Sequence, residues 1–168
     1  MIQTKLVNRD VIAKYKQISK NINSEILDQY IIEAQIQDVR PLLGEKLFDA
    51  IIETPLDYTI LLEGGQYTYD GVTCTNYGLE AVLSYYVYAR YAMFGSATDT
   101  PFSMVEKLNG QESRPVDYSF KKGLYTLNRD SAFNLWRSVE KYLIRTNNEL
   151  FLDKCLVKNN NFHFNKIK

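Results

Sequence analysis

Histidine and cysteine are scarce in this chain: His163 stands alone, and Cys74 and Cys155 are the two thiols. His163 lies between two phenylalanines near the C-terminus. It has no partner in view for acid–base work, which needs one held within hydrogen-bonding reach. The cysteines show no CxxC spacing and indicate neither a zinc cluster nor a disulfide framework. They read as small packing residues. Apart from Gly64-Gly65 the glycines are isolated, and they form no phosphate-cradling motif. No basic cluster is dense enough for specific DNA binding. Residues 1–6 hold no apolar run of the kind a signal peptide needs. The most apolar stretch, 81–97, is short for a membrane span, carries Arg90 near its middle and is rich in tyrosine. These absences predict a soluble, non-enzymatic protein made in a reducing cytoplasm, with no cofactor, metal or membrane contact.

What the chain does have suits one folded domain. Its 168 residues can bury most of their apolar surface without covalent staples. A hydrophobic content of 45% with thirteen tyrosines argues against disorder. The net charge is zero but unevenly spread. Residues 1–24 are basic, residues 25–117 hold fifteen acids against five basic side chains, and 118–168 are basic again. Such asymmetry suits head-to-tail attraction between copies, or an acidic surface facing something anionic that must not stick. Solvated charges on ordinary surfaces explain it equally simply.

The periodicity is mostly helical. Asn8 suits the cap of a short helix over 9–16, and Asn23 or Ser24 the cap of the next. That second helix carries two apolar rows: Leu27, Tyr30, Ile31 and Ala34, and beside them Ile32, Ile36 and Val39. Pro41 ends it or starts the next helix, whose apolar residues are Leu43, Leu47, Phe48, Ile51 and Ile52. Thr54-Pro55 opens a short helix through Leu56, Ile60 and Leu61, and Gly64-Gly65 stops it. Tyr67–Tyr69 and Val72–Cys74 flank Asp70-Gly71, a type I′ turn pair, and predict a hairpin. A tyrosine-rich helix over 77–95 follows. A second hairpin is expected about Asn109-Gly110, joining 102–108 to 111–116. Asp117 or Ser119 caps a long last helix over 118–147 that breaks near Asn147-Asn148. Its stripe is Tyr125, Ala132, Trp136, Val139, Leu143 and Leu150, widened by Phe133 and Leu135. The fold class is thus mainly α: a helical bundle with a long C-terminal helix, one or two small β-hairpins and an extended C-terminal tail. A single domain covers 1–157, with an arm at 98–116 and a tail at 158–168.

Three features bear on function. The 81–97 helix is apolar on every side and must be surrounded by protein. With the arm beside it, this suggests a subunit completed by its neighbours. Arg90, inside that helix, must be paired, and an internal carboxylate is favoured over an interface. The belt of Tyr85, Tyr86, Tyr88 and Tyr91 fits a core or a protein interface better than a nucleic-acid stacking platform, since Arg90 is its one cation. Glu45, Asp49 and Glu53 share one helix face, but one helix rarely supplies enough oxygens for a cation.

The run Glu33-Ala34-Gln35 followed by Val39-Arg40-Pro41-Leu42-Leu43-Gly44-Glu45-Lys46-Leu47-Phe48-Asp49 resembles the opening of head–tail connector proteins of tailed phages, also called head-completion or adaptor proteins. The helix from Gly78-Leu79-Glu80 to Tyr91, the stretch Thr100-Pro101-Phe102-Ser103 and the long last helix extend the resemblance over about 22–150. It is most similar to ring proteins of Bacteroidetes phages, including the crAss-like group. Ser103 where glycine is expected and the hairpin inserted at 66–75 depart from that pattern. The resemblance implies no catalytic motif and no cofactor. It implies a helical bundle assembled with itself into a ring, usually twelve-fold, between portal protein and tail or second ring proteins. DNA would pass through without specific binding, and the protein would reside in the virion neck after assembly in the host cytoplasm. On that reading Phe102, Met104, Val105, Leu108 and Arg114 of the arm serve the subunit interface. Phe162, Phe164 and Ile167 dock the tail on a partner, and Glu45, Asp49 and Glu53 are candidates to face the lumen. The alternative from another class is a small cytoplasmic, phage-encoded regulatory or inhibitor protein.

Overall fold

Two asparagines start the first two helices. The Asn8 side chain accepts the Val11 amide of α1 (Arg9–Tyr15), and that of Asn23 accepts the Glu25 amide of α2 (Ser24–Ala34). Each satisfies a donor that has no partner within its own helix. The structure is a computed structural model and describes residues 4–95, 97–99, 104–106 and 117–152.

α2 runs through the boundary expected at Pro41. A π-helical turn, Gln35–Val39, joins it to α3 (Arg40–Leu43), and the Arg40 amide reaches back five residues to the Gln35 carbonyl. Proline has no amide, and its ring crowds the carbonyl four residues earlier. A widened turn just before Pro41 accommodates both defects without breaking the helix. It also alters the buried face. Gln35, Asp38 and Val39 lie inside, whereas Ile36, expected in the apolar row, is exposed.

Gly44, at φ 85°, ends this helix and leads into α4 (Glu45–Glu53), which buries Leu47, Phe48 and Ile51. A 3₁₀ turn (Pro55–Tyr58) and α5 (Thr59–Glu63) follow. The hairpin of β1 (Gly65–Tyr69) and β2 (Val72–Asn76) forms about Asp70 and Gly71, both at positive φ as a type I′ turn requires. Its base is tight. A Cβ on Gly64 would stand 2.6 Å from the Asn76 carbonyl oxygen, and one on Gly78 would stand 2.5 Å from that of Leu62. Buried Asn76 locks this crossing: its Nδ2 donates to the Ile60 carbonyl at 2.8 Å and its Oδ1 accepts the Gly78 amide at 3.1 Å.

α6 (Leu79–Phe94) and α7 (Tyr118–Arg145) pack antiparallel. The Phe94 ring meets Tyr125 at 6.4 Å, while at the other end Ser138 Oγ donates to the Thr75 carbonyl. α1, α2, α5 and α7 surround α6. The helix that is apolar on every side is therefore enclosed by its own chain, which removes it as a sign of incompleteness. α7 closes in a Schellman motif with Asn147 at φ 51°, the Asn148 amide bonding the Leu143 carbonyl. Asn148 Oδ1 then accepts the Phe151 amide of a last helical turn.

The fold class is as expected: mainly α, with a long last helix. β3 (Ala97–Asp99) pairs antiparallel with β4 (Met104–Glu106), Asp99 opposite Met104, a pairing the sequence pattern did not indicate. The turn expected at Asn109-Gly110 lies outside the described residues. Phe133 is exposed beneath the Arg137 guanidinium rather than part of the stripe. The tail 158–168 also lies outside the described residues.

Trp136 is buried with Ala132, Val139 and Leu143, and the ring of Phe151 meets it edge-on at 6.1 Å. Trp136→Ala should therefore cost roughly 3–5 kcal/mol of unfolding free energy, as aromatic truncations in cores do. Urea unfolding followed by far-ultraviolet circular dichroism measures it, and a loss below about 1 kcal/mol would contradict a core position.

Candidate functional site: an ion-paired helix junction and its exposed flanks

The π-helical turn supplies the principal polar centre of the described residues. The Asp38 carboxylate is 4% exposed and lies between two guanidinium groups. Arg90 of α6, its side chain 9% exposed, donates to Asp38 Oδ2 from Nη2 at 2.7 Å and from Nε at 3.3 Å. Arg129 of α7 donates to Oδ1 from Nη1 at 2.7 Å. Arg90 also donates to Gln37 Oε1 at 3.0 Å and to Glu33 Oε2 at 3.4 Å. Two acids and two guanidinium groups balance, so the junction carries no net charge. Arg129 lies 5.2 Å over the Tyr86 ring and 5.4 Å over that of Tyr125. Burial works against its charge, but the hydrogen bond and charge of Asp38 outweigh that and hold the guanidinium protonated. Burial first, and then Asp38, push the Tyr86 hydroxyl above its ordinary range.

From the same turn, Gln35 Oε1 accepts the Leu6 amide at 2.8 Å and its Nε2 donates to the Thr4 carbonyl at 3.0 Å. One turn thus fixes the N-terminal segment, α6 and α7 together. The chemistry here is structural. Both Asp38 oxygens accept charged donors, which leaves this carboxylate poorly placed to take a proton from a substrate. Among the described residues no three histidine, cysteine, aspartate or glutamate side chains gather to hold a metal.

Arg90 pairs internally, as its sequence setting predicts. Its main partner was legible in principle: Asp38 continues the row Leu27, Ile31, Ala34 at helical spacing, an acid in register with an apolar stripe. The tyrosine belt is also internal in large part. Tyr86 is buried, and Lys16 Nζ stands 3.8 Å over the Tyr85 ring and 5.5 Å over that of Tyr88. Glu45, Asp49 and Glu53 lie together on the exposed face of α4, with Glu45 paired to Arg40. Met104 and Val105 belong to β4. Phe102, Leu108, Arg114, Phe162, Phe164 and Ile167 lie outside the described residues.

Two apolar surfaces escape the sequence pattern. At 1.5 Å per residue, α7 is about 42 Å long against about 24 Å for α6. Its start overhangs the bundle: no residue of α7 before Asn128 is buried, and Tyr118, Phe120 and Leu127 are exposed around its first turns. At the opposite end of α7, a groove of about 480 Å³ runs between the Pro55–Tyr58 turn with α5 and the helix residues Tyr142, Leu143 and Thr146. Leu56 and Ile60 are 89% and 53% exposed on its rim.

Removing Asp38 leaves two guanidinium groups facing each other without their shared anion. Asp38→Ala should destabilise the fold by about 3–5 kcal/mol, the cost of stripping one partner from a buried pair. Unfolding within about 1 kcal/mol of wild type would show the cluster to be solvated instead. Glu80, at the start of α6, gives a pH test. Burial holds its carboxyl above the usual range; Lys14 pulls the other way and Glu63 adds to the rise. A raised folded value means that its contribution is present below the unfolded value and lost as pH rises through the folded one. Glu80→Gln should therefore raise the melting temperature at neutral pH and leave it unchanged well below about pH 4, the ordinary carboxyl value. A melting temperature unchanged at neutral pH would contradict the shift.

No curated protein and no solved structure matches the chain. Residues 39–161, from the last residue of the π-helical turn through the whole of α6 and α7, match one family, described as a family of unknown function (DUF6712). That match spans well over half of the chain and takes in the scaffold around Arg90 and Arg129. The chain belongs to this family of unknown function.

Proposed function

We propose that this chain is a structural virion protein that forms a ring with copies of itself in the neck of a tailed phage, between portal and tail. The observation that carries this reading is the overhanging start of α7. Tyr118, Phe120 and Leu127 stand exposed around the first turns of α7, on a helix that buries its other half in the bundle. Large apolar side chains left exposed on an unburied helix end suit a partner surface. Tyrosine and phenylalanine are enriched in protein interfaces. The arm, which in sequence joins α6 to this start of α7, supplies Phe102, Met104, Val105, Leu108 and Arg114 to the subunit interface on this reading. The resemblance to head–tail connector proteins supports the same assignment, with a helical bundle and no catalytic constellation.

In such a ring the exposed acids of α4 have a role. Glu45, Asp49 and Glu53 on a lumen wall would repel phosphate, so that DNA slides through rather than adheres. Portal protein on one side and tail or second ring proteins on the other are the partners, and Phe162, Phe164 and Ile167 anchor the C-terminal segment to one of them. No cofactor enters this role.

Mass spectrometry of purified particles from the phage that encodes the chain tests the proposal. The protein should be present at ring-like copy number relative to portal, and a deletion mutant should yield filled heads without attached tails. Absence from particles, together with normal tailed virions in the deletion mutant, would overturn it in favour of a small regulatory protein.

A further inference from the structure

The groove at the C-terminal end of α7 has a candidate occupant within the chain. Leu56 of the 3₁₀ turn is the most exposed large apolar residue among the described ones, and Ile60 of α5 lines the same groove. The opposite wall includes Tyr142, Thr146 and Asn148. Asn148 also caps the last helical turn, which ends at Leu152 where the described chain ends. Sixteen residues, 153–168, follow Leu152, which stands four positions after Asn148 of the groove lining.

We propose that in the free protein the chain's own C-terminal segment lies in this groove, with Phe162 and Phe164 against Leu56 and Ile60. Reach permits it. The ten residues from Leu152 to Phe162 span up to about 33 Å when extended, several times the roughly 8 Å covered by the four steps from Leu56 to Ile60 at 3₁₀ rise. The groove's volume of about 480 Å³ suits a pair of aromatic rings. Charge agrees: Lys158, Lys166 and Lys168 flank the aromatics, while Asp57 lines the groove and Glu53 and Glu63 stand on either side of its wall in sequence.

The tether favours the same molecule over a second copy. A site joined to its ligand by a short stretch of the same chain sees it at an effective concentration on the order of 1 mM, far above micromolar protein. This inference depends on the groove and the chain that leaves it, not on the ring reading. Within the ring reading it adds a stored anchor, released when a partner offers a better site.

Photocrosslinking tests it on the full chain at micromolar concentration, with Phe164 replaced by p-benzoylphenylalanine. The expected result is a crosslink to residues 56–61 or 142–148 within a species that migrates as a monomer. Amide exchange at 162–167 should be slowed at least about tenfold relative to a free 158–168 peptide, which corresponds to roughly 1.4 kcal/mol of docking. Leu56→Glu with Ile60→Glu should abolish both signals; these side chains are exposed, so the helical circular dichroism should be unchanged. Crosslinks confined to dimers would assign the groove to a second copy, and crosslinks elsewhere, or exchange as fast as in the peptide, would show it uncovered. Either result overturns the proposal.

Discussion

The Asp38 carboxylate, held between Arg90 and Arg129, is the contact on which the arrangement of the helices depends. The three residues come from three separate elements, and none has another fully ionised partner of comparable geometry. A buried ion cluster of this kind contributes little net stability over an apolar replacement, because desolvation offsets the attraction. Its effect is on alternatives. If α6 were rotated or shifted by one turn against α2, a guanidinium would be left without its anion in the interior, at a cost an apolar contact does not impose. The leucines, valines and alanines of α6 would pack almost as well in a neighbouring register. The charges would not.

That cluster follows from a local defect. Pro41 cannot donate to the carbonyl four residues back, and the helix widens by one residue just before it. The widened turn brings Gln35 and Asp38 inside together. Gln35 spends its amide on the N-terminal segment, and Asp38 receives the two arginines. A proline that reads as punctuation in the sequence thereby organises polar contacts separated by as many as 91 positions in the chain.

Local features of the fold were the most legible. The caps at Asn8, Asn23 and Asp117, the Asp70-Gly71 turn and the break at Asn147 each depend on a few neighbouring residues, and they form as their chemistry requires. Arg90's internal pairing was legible because a charge in an apolar helix has few options. What escaped sequence reading was set by packing. Ile36 turned outward because the π-helical turn changed the phase of the row. Phe133 sits at core-like spacing yet faces solvent, and periodicity alone does not say where a partner helix ends. β3 and β4 are three residues each, too short for an alternating pattern to mark them. At the site level, Asp38 carried a readable signal, whereas the α7 overhang needed the relative lengths and register of two helices.

The crossing of Gly64 and Gly78 has a consequence for how this fold can vary. The chain enters and leaves the β1–β2 hairpin at points where the two backbones touch, which ties the base of the hairpin in a knot. The knot admits no side chain at either glycine, and Asn76 bolts it to α5. Beyond it, the ribbon is strapped to α7: the Tyr67 ring meets Tyr142 at 5.1 Å, and Arg145 donates to the Tyr67 hydroxyl and lies 4.7 Å over the Tyr69 ring. The hairpin at 66–75, the part that departs from the connector-like pattern, thus ties the α5–α6 crossing to the far end of α7, and its freedom to vary is confined to the tip about Asp70 and Gly71.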